Sequence, residues 1–171
     1  IYPSKRGLRN LRIGYVESAF VDSSTYNNDT ASLKILKSMG LNLIPIELPE
    51  VPTQAVSFVL QAEAAAAFDE LTRSNEDDQL VRQVKNAWPN VFREARFIPA
   101  VEYINANRAR TLLNQKMSEL MEKIDVYIIP SFYGDNLLRT NLTGHPCVVV
   151  PNGFNDKGRP TSISFVGELY G

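Results

Sequence analysis

The stretch from Leu11 to Ile46 constrains the fold more than any other part of the chain. Leu11-Arg12-Ile13-Gly14-Tyr15-Val16 alternates and is β-rich, which reads as a strand. Asp22, Ser23, Ser24 and Thr25 offer N-caps for a helix running to about Met39, with Gly40 at its C-terminal cap. Leu41 to Ile46 returns as a second strand. A strand–helix–strand unit of this length favours parallel pairing through a right-handed crossover. The expected class is therefore α/β.

Downstream, Pro45, Pro49 and Pro52 punctuate a turn, and Thr53 is placed to cap a long helix through Leu71. Residues 74–79 read as an exposed acidic connection. Residues 80–96 read as helical, with a break or a new first turn forced at Pro89. Pro99 suits the first position of another helix, reaching about Ile124. Asp125 to Ile129 reads as a buried strand ended by Pro130. After a loop, Cys147 to Val150 reads as a short apolar strand ended by Pro151, and Ser162 to Val166 as a last strand. Asn152-Gly153 and Lys157-Gly158 mark the turns between them.

Composition excludes several functions. The 171 residues carry 18 basic and 19 acidic side chains, for a net charge of −1. This is not the basic footprint of a nucleic-acid binder, so no direct nucleic-acid contact is expected. No apolar run approaches the length of a membrane span, so no membrane contact is expected either. One histidine and one cysteine leave no zinc-ligand spacing and no internal disulfide. Cys147, between Pro146 and three valines, reads as a buried structural thiol. The beginning at Ile1 and the ending on Glu168-Leu169-Tyr170-Gly171 read as those of an excised piece.

Two helices carry polar residues where the apolar pattern does not call for them. Glu63 falls among Val56, Leu60, Ala64, Ala67 and Leu71, a stripe at helical spacing. A carboxylate there needs a partner, either backbone groups or an arginine. On the helix after Pro99, Ala106, Ala109, Leu113, Met117, Leu120 and Ile124 define a buried stripe. Tyr103, Asn107, Arg110 and Asn114 follow at spacings of four, three and four and form a second stripe beside it. Such a row suits hydrogen bonding to something semi-buried, either another chain segment or a ligand carboxylate.

Asn141-Leu142-Thr143-Gly144-His145-Pro146 supplies an amide, a hydroxyl and a permissive backbone next to an apolar strand. His145 reads as a half-buried loop residue, with no Ser/Asp arrangement to make it a catalytic base. From Thr140 to Phe154, and on through Gly158-Arg159-Pro160 to Gly167, the chain resembles the C-terminal core of the amidase signature enzymes. That family shows an Asn-Leu-x-Gly-x-Pro segment, an apolar strand ending in Pro-x-Gly, then Gly-x-Pro and a final strand. Leu11 to Val16 resembles the strand that follows the family's catalytic region. Glu63-Ala64, the Arg110 helix and Asp125 to Pro130 follow in matching order. Within the family the likeness is to amidases related to the glutamyl-tRNA amidotransferase A subunit.

The resemblance implies the C-terminal part of the amidase signature fold, a mixed β-sheet core flanked by helices. It places residues 1–171 as one domain, the C-terminal half of an amidase signature domain, truncated at both ends. It also implies a cytoplasmic setting, no cofactor, a small-molecule amide substrate and, in some members, amidotransferase partner subunits. Family members cleave amides with a Ser–cis-Ser–Lys triad and a Gly/Ser-rich oxyanion loop. This sequence has no such loop, and its only adjacent serine pair is Ser23-Ser24, so no catalytic residue is carried over. What carries over is pocket wall. Arg110 matches an arginine that binds a substrate α-carboxylate, Asp135 matches a contact to a substrate ammonium, and Asn141 lies in the adjoining segment. Leu71 replaces a tyrosine of glutamine-using members, so the resemblance implies a general amide substrate at least as much as glutamine. Strands that in the family pair with the other half would leave unpaired edges in the isolated chain, which leads to an expectation of its self-association. A non-catalytic small-molecule binding module and an amidotransferase-complex scaffold stay open as alternatives.

Overall fold

The computed structural model describes Gly7, residues 10–21 and residues 27–170. The expected caps at Asp22 to Thr25 and the Ser23-Ser24 pair lie outside the described residues. The chain divides into two compact units, one of residues 1–51 and 113–171 and one of residues 52–112.

The first unit is built on a five-stranded sheet. Its strands are β1 (Ile13–Val16), β2 (Leu43–Ile46), β3 (Val126–Pro130), β4 (Cys147–Phe154) and β5 (Pro160–Gly167), in the order β2-β1-β3-β5-β4. β1 pairs in parallel with β2 and β3, while β5 runs antiparallel to both β3 and β4. The sheet is mixed, as expected, and the parallel β1–β2 pairing is the one read from the sequence. The helices of this unit are α1 (Glu17–Val21), α2 (Asn27–Ser38), the C-terminal part of α6 (Ala100–Met121) and α7 (Asn136–Thr143). Gly40, at φ 82°, takes the left-handed conformation expected after α2.

Strand alternation sorts the core onto two faces. Ile13 and Ile128 join Leu33 of α2, Leu41 and Ile163 in one buried cluster, with Tyr15, Val126 and Phe165 packed against it. The opposite face carries Gly14, Val16, Tyr127, Ile129 and Val166. All but Gly14 of these are at most 2% exposed. Gly14 admits the chain that follows α6: a Cβ there would lie 2.9 Å from Ile124 Cδ1 and 3.1 Å from Ile46 Cδ1. A two-part latch fixes the start of β1 against β3. The Arg12 amide donates to Asp125 Oδ2 at 2.7 Å, and its guanidinium reaches Asp125 Oδ1 at 2.8 Å and the Glu122 carbonyl at 2.6 Å.

The second unit contains α3 (Phe58–Ala67), α4 (Asp69–Arg73), α5 (Trp88–Ala95) and the first half of α6, with 3-10 turns at Thr53–Val56 and Glu76–Gln79. The single helix expected from Thr53 to Leu71 is in fact three pieces. Thr53 is 2% exposed and opens the first 3-10 turn rather than standing before a long helix. The chain breaks again at Phe68, where φ −107° and ψ 28° leave the helical region. The expected stripe holds only in part. It fails at Leu60, 44% exposed, and at the exposed Ala67, where Val59 and Ala65 are buried instead; Val56 is buried as expected, and Ala64 and Leu71 pack partly buried against Phe92 and Ala95. Helix in 80–96 is confined to α5, with Pro89 in its first turn. Its Phe92 packs with Ala65 and Ala95 and stacks between Phe68 and Trp88 at 5.2 and 5.5 Å.

Three further expectations are corrected. The loop before Cys147 contains α7, closed by Gly144 at φ 78°. The apolar strand does not stop at Pro151 but runs to Phe154, because β4 is an edge strand and tolerates a residue without an N–H. Cys147 is exposed rather than buried, since nothing lies outside that edge among the described residues.

The β4–β5 hairpin is tied to α2 by a chain of side chains. Asn28 Nδ2 donates to the Phe154 carbonyl and to Thr161 Oγ1. The Thr161 hydroxyl donates to Asn152 Oδ1, and Asn152 Nδ2 donates to Asp29 Oδ1 at 2.7 Å. Asp29 is 3% exposed, and burial raises its carboxyl above the usual range against the lowering effect of Asn152. Gly153, at φ 139°, passes so close that a Cβ would sit 2.7 Å from Asn28 Nδ2. Gly153→Ala is therefore expected to lower stability by about 1–3 kcal/mol through backbone strain and displacement of Asn28. Urea denaturation checks this, and an unchanged midpoint would show that the hairpin tie is not under this constraint.

Candidate functional site

Ligands of open α/β sheets gather beyond the carboxyl ends of the strands, where the strand order reverses. Here the chain goes from β1 outward to β2 and then returns to the other side of β1 as β3, so the reversal lies between β1 and β3. The segments leaving β1, β2 and β3 at that end interlock. Glu47, just after β2, accepts from the Ser18 amide at 3.0 Å and from its hydroxyl at 2.7 Å, capping the short α1. The Tyr133 hydroxyl, just after β3, reaches the Ser18 carbonyl at 3.3 Å.

Asp135 stands at the N-cap position of α7, at this same end. Its side chain is 30% exposed and pairs with Arg139 Nη2 at 3.2 Å. Arg139 is 4% exposed and donates through Nη1 to the Pro49 carbonyl at 2.8 Å, while its Nε has no hydrogen-bond partner among the described residues. One buried guanidinium thus holds both Asp135 and the segment after β2. Tyr127 of β3 donates to Asn136 Oδ1 at 2.8 Å and fixes the first turn of α7. Burial, opposed by the nearby charge of Arg139, raises the Tyr127 hydroxyl well above its ordinary range and keeps it a donor. Asn141 is exposed on the same helix. Sequence reasoning misses Arg139 because residues 131–146 read as loop. On a helix, its spacing of four from Asp135 is itself a signal.

His145 is 6% exposed, more enclosed than expected, and its Nδ1 lies 2.7 Å from Thr143 Oγ1. Burial lowers its pKa, against a raising effect of Glu168.

Arg110 belongs to the other unit. Its Nη1 donates to Glu63 Oε1 at 2.9 Å, and the Tyr103 hydroxyl approaches the same oxygen at 3.4 Å. Of the two partners considered for Glu63, the structure supplies the arginine, although Glu63 is 44% exposed and not core-facing. With Arg110 at 29%, the pair is screened and contributes about 0–1 kcal/mol to stability. Tyr103, Asn107, Arg110 and Asn114 are all of intermediate exposure; of the expected buried stripe beside them Ala106, Leu113, Met117 and Ile124 are buried, while Ala109 and Leu120 are only half-buried. A cavity of about 440 Å³ opens beside Glu63 and Tyr103, floored by Ala62, Ala66, Ala95, Ile98 and Ala100. A second recess, of about 390 Å³, lies on the far side of Tyr103, against Asn107, Arg108 and Thr111. An apolar floor with one carboxylate, one phenol and a nearby guanidinium suits a small polar molecule with an apolar body. Among the described residues no group of three or more His, Cys, Asp or Glu is placed to hold a metal ion. No helix of the described residues is long and apolar enough to cross a membrane.

Residues 2–138 match the family model described as Amidase, and the chain belongs to that family. It is 23% identical to the A subunit of the glutamyl-tRNA(Gln) amidotransferase of Thermosynechococcus vestitus, over 96% of this chain and 43% of that protein. It is 25% identical to an amidase of Pseudomonas putida, over 74% of this chain and 27% of that protein. A bacterial aryl acylamidase of the amidase signature family has the same fold, with a TM-score of 0.71 at 16% identity over 95% of this chain and 41% of that one. So has the peptide amidase of Stenotrophomonas maltophilia, with a TM-score of 0.69 at 19% identity over 95% and 40%. The chain thus spans less than half the length of the relatives it matches.

The His145 environment fixes the sign of one pH dependence. Its folded pKa lies below 6.5, so the unfolded chain binds the proton more tightly. The stabilisation is complete above pH 6.5 and is lost as the pH falls below that value toward the folded pKa. The single histidine Hε1 resonance is expected to titrate below 6.5. The difference in urea midpoint between the protein and His145→Gln should shrink from pH 7.5 to pH 5. A histidine titrating at or above 6.5 contradicts this.

Proposed function

We propose that this chain forms the scaffold and acyl-pocket wall of an amidohydrolase that cleaves a carbon–nitrogen amide bond by Ser–cis-Ser–Lys chemistry. The residues of that triad are not in this sequence, so the chain by itself does not turn over amides. The observation that carries the reading is Asp135, held by the buried Arg139 at the carboxyl end of β3, where a sheet of this kind presents its ligand groups. The family membership supports the reaction class.

In this reading Asp135 receives a substrate ammonium and Asn141 adds an amide donor and acceptor. Arg110 receives a carboxylate, exchanging its contact with Glu63 for a bidentate one. Leu71, where glutamine-using members carry tyrosine, favours a general amide over glutamine. Amidotransferase partner subunits enter only if the pocket accepts glutamine.

Ammonia release from L-glutamine, acetamide and benzamide by the purified chain tests the assignment of chemistry, and none is expected. Turnover would overturn it. Calorimetric titration with L-glutamate tests the wall. Arg110→Met is expected to weaken any binding by about 1.5–3 kcal/mol, the range for hydrogen bonds to a charged group. Equal affinity in the variant would remove Arg110 from the reading.

A further inference from the structure

Asn152 is the only asparagine of the sequence that is followed by a glycine. A glycine has no Cβ to shield its amide nitrogen, so at this bond the nitrogen can reach the carbonyl carbon of the preceding side-chain amide. The pair sits at the irregularity of the β4–β5 ladder. The register steps from Pro151↔Ser162 to Gly153↔Thr161 and leaves Asn152 without an opposite residue. Its side chain supplies the hold that the ladder does not. Asn152 Nδ2 donates to Asp29 Oδ1 at 2.7 Å and lies 3.4 Å from Ser32 Oγ, while Asn152 Oδ1 accepts from the Thr161 hydroxyl at 2.7 Å.

These contacts oppose ring closure between the two residues. Asn152 Cγ has to swing from α2 to the Gly153 nitrogen, which breaks the contacts with Asp29 and Thr161 together. The extended backbone of β4 has to turn as well. Asn28 limits that turn, because it fills the space beside Gly153, where a Cβ would sit 2.7 Å from Asn28 Nδ2.

We propose that Asn152 is a one-way modification site, gated by the tie between α2 and the β4–β5 hairpin. While the tie holds, the amide is stable. When the tie opens, the Gly153 nitrogen attacks Asn152 Cγ. A C–N bond forms there as the bond to Nδ2 breaks, and ammonia leaves with the proton of the Gly153 amide. Water then opens the five-membered imide. Addition at Cγ gives aspartate in an ordinary peptide. Addition at the backbone carbonyl gives isoaspartate, with the main chain running through Cγ and longer by one methylene. Neither product rebuilds the tie. Aspartate sets two carboxylates where a donor met an acceptor. Isoaspartate lengthens β4 beside Gly153 and carries the Phe154 carbonyl away from Asn28 Nδ2, now 2.9 Å from it. The reaction is intramolecular and asks only for water, so it does not depend on what lies beyond the edge of β4.

The intact chain is incubated at pH 8 and 37 °C and followed by peptide mapping. Exchange of ammonia for water adds about one mass unit, and isoaspartate is read by enzymatic methylation. Asn152 is expected to convert in guanidinium chloride, and at least about tenfold more slowly in buffer. Thr161→Val removes one hold without touching the Asn-Gly bond. It should raise the rate in buffer at least about threefold and leave the rate in guanidinium unchanged. Ser32→Ala, a milder change that keeps the test open if Thr161→Val does not fold, should act in the same direction. Ile129→Val loosens the opposite face of the sheet and should leave the rate in buffer within about twofold. Asn152→Asp should speed hydrogen exchange at Phe154 and Thr161 and leave β1 and β3 protected. The proposal is overturned by equal rates in buffer and guanidinium, or by no conversion in either. Indifference to both Thr161→Val and Ser32→Ala overturns it, as does an equal acceleration by Ile129→Val. So does an Asn152→Asp hairpin that exchanges like the parent.

Discussion

A strand buried on both faces has nowhere to put a polar group except toward a partner. β3 is such a strand: Tyr127, Ile128 and Ile129 are fully enclosed. Ile128 serves the α2 side of the sheet, and Tyr127 and Ile129 the other. The Tyr127 hydroxyl, left without a hydrogen bond, would cost about 1–3 kcal/mol. Asn136 removes that cost, and in doing so it sets where α7 begins. Asp135, one residue earlier, is consequently delivered to the end of β3, and Arg139, one turn later, is drawn under it. Placement of the candidate ligand group is therefore a by-product of satisfying one buried phenol.

Arg139 is the less comfortable member of this arrangement. A guanidinium almost without exposure is tolerated only where its donors are used, and here two directions are used and Nε is not. Its contact with the Pro49 carbonyl binds the segment after β2 to α7, so the ends of β2 and β3 share one cation. Breaking such a group costs more than its pairing contributes, because what remains is a desolvated charge. The local geometry is rigid for that reason rather than because any single contact is strong.

Much of the sheet unit is legible in the sequence, because period-two alternation and a terminal glycine are local signals. Ile13 to Val16, α2 and Gly40 need no tertiary information. The semi-buried row from Tyr103 to Asn114 is also legible, since a long helix states its own faces. The break at Phe68 is not. The alanine-rich run up to Ala67 carries helical propensity straight into it, and only packing decides otherwise. α7 is hidden for the opposite reason. It is only eight residues long with three leucines among polar residues, and the helix is held by Tyr127 and Arg139 from outside and within. Cys147 misleads because a run of valines signals burial, while whether that burial is met depends on what lies beside the strand. The pairing of Glu63 with Arg110 is half legible: the need for a partner is visible, the exposure is not.

The chain of side chains from Asn28 to Asp29 has a direction. Each link donates toward the next, and the series ends on the one member that, when ionised, can only accept. That carboxylate therefore decides which way both amides face. A proton added to Asp29 would give it something to donate, and Asn152, Thr161 and Asn28 would be free to turn over in sequence, leaving the Phe154 carbonyl without its donor. The tie between helix and hairpin is in this sense polarised like a row of dipoles, with its orientation written at one end.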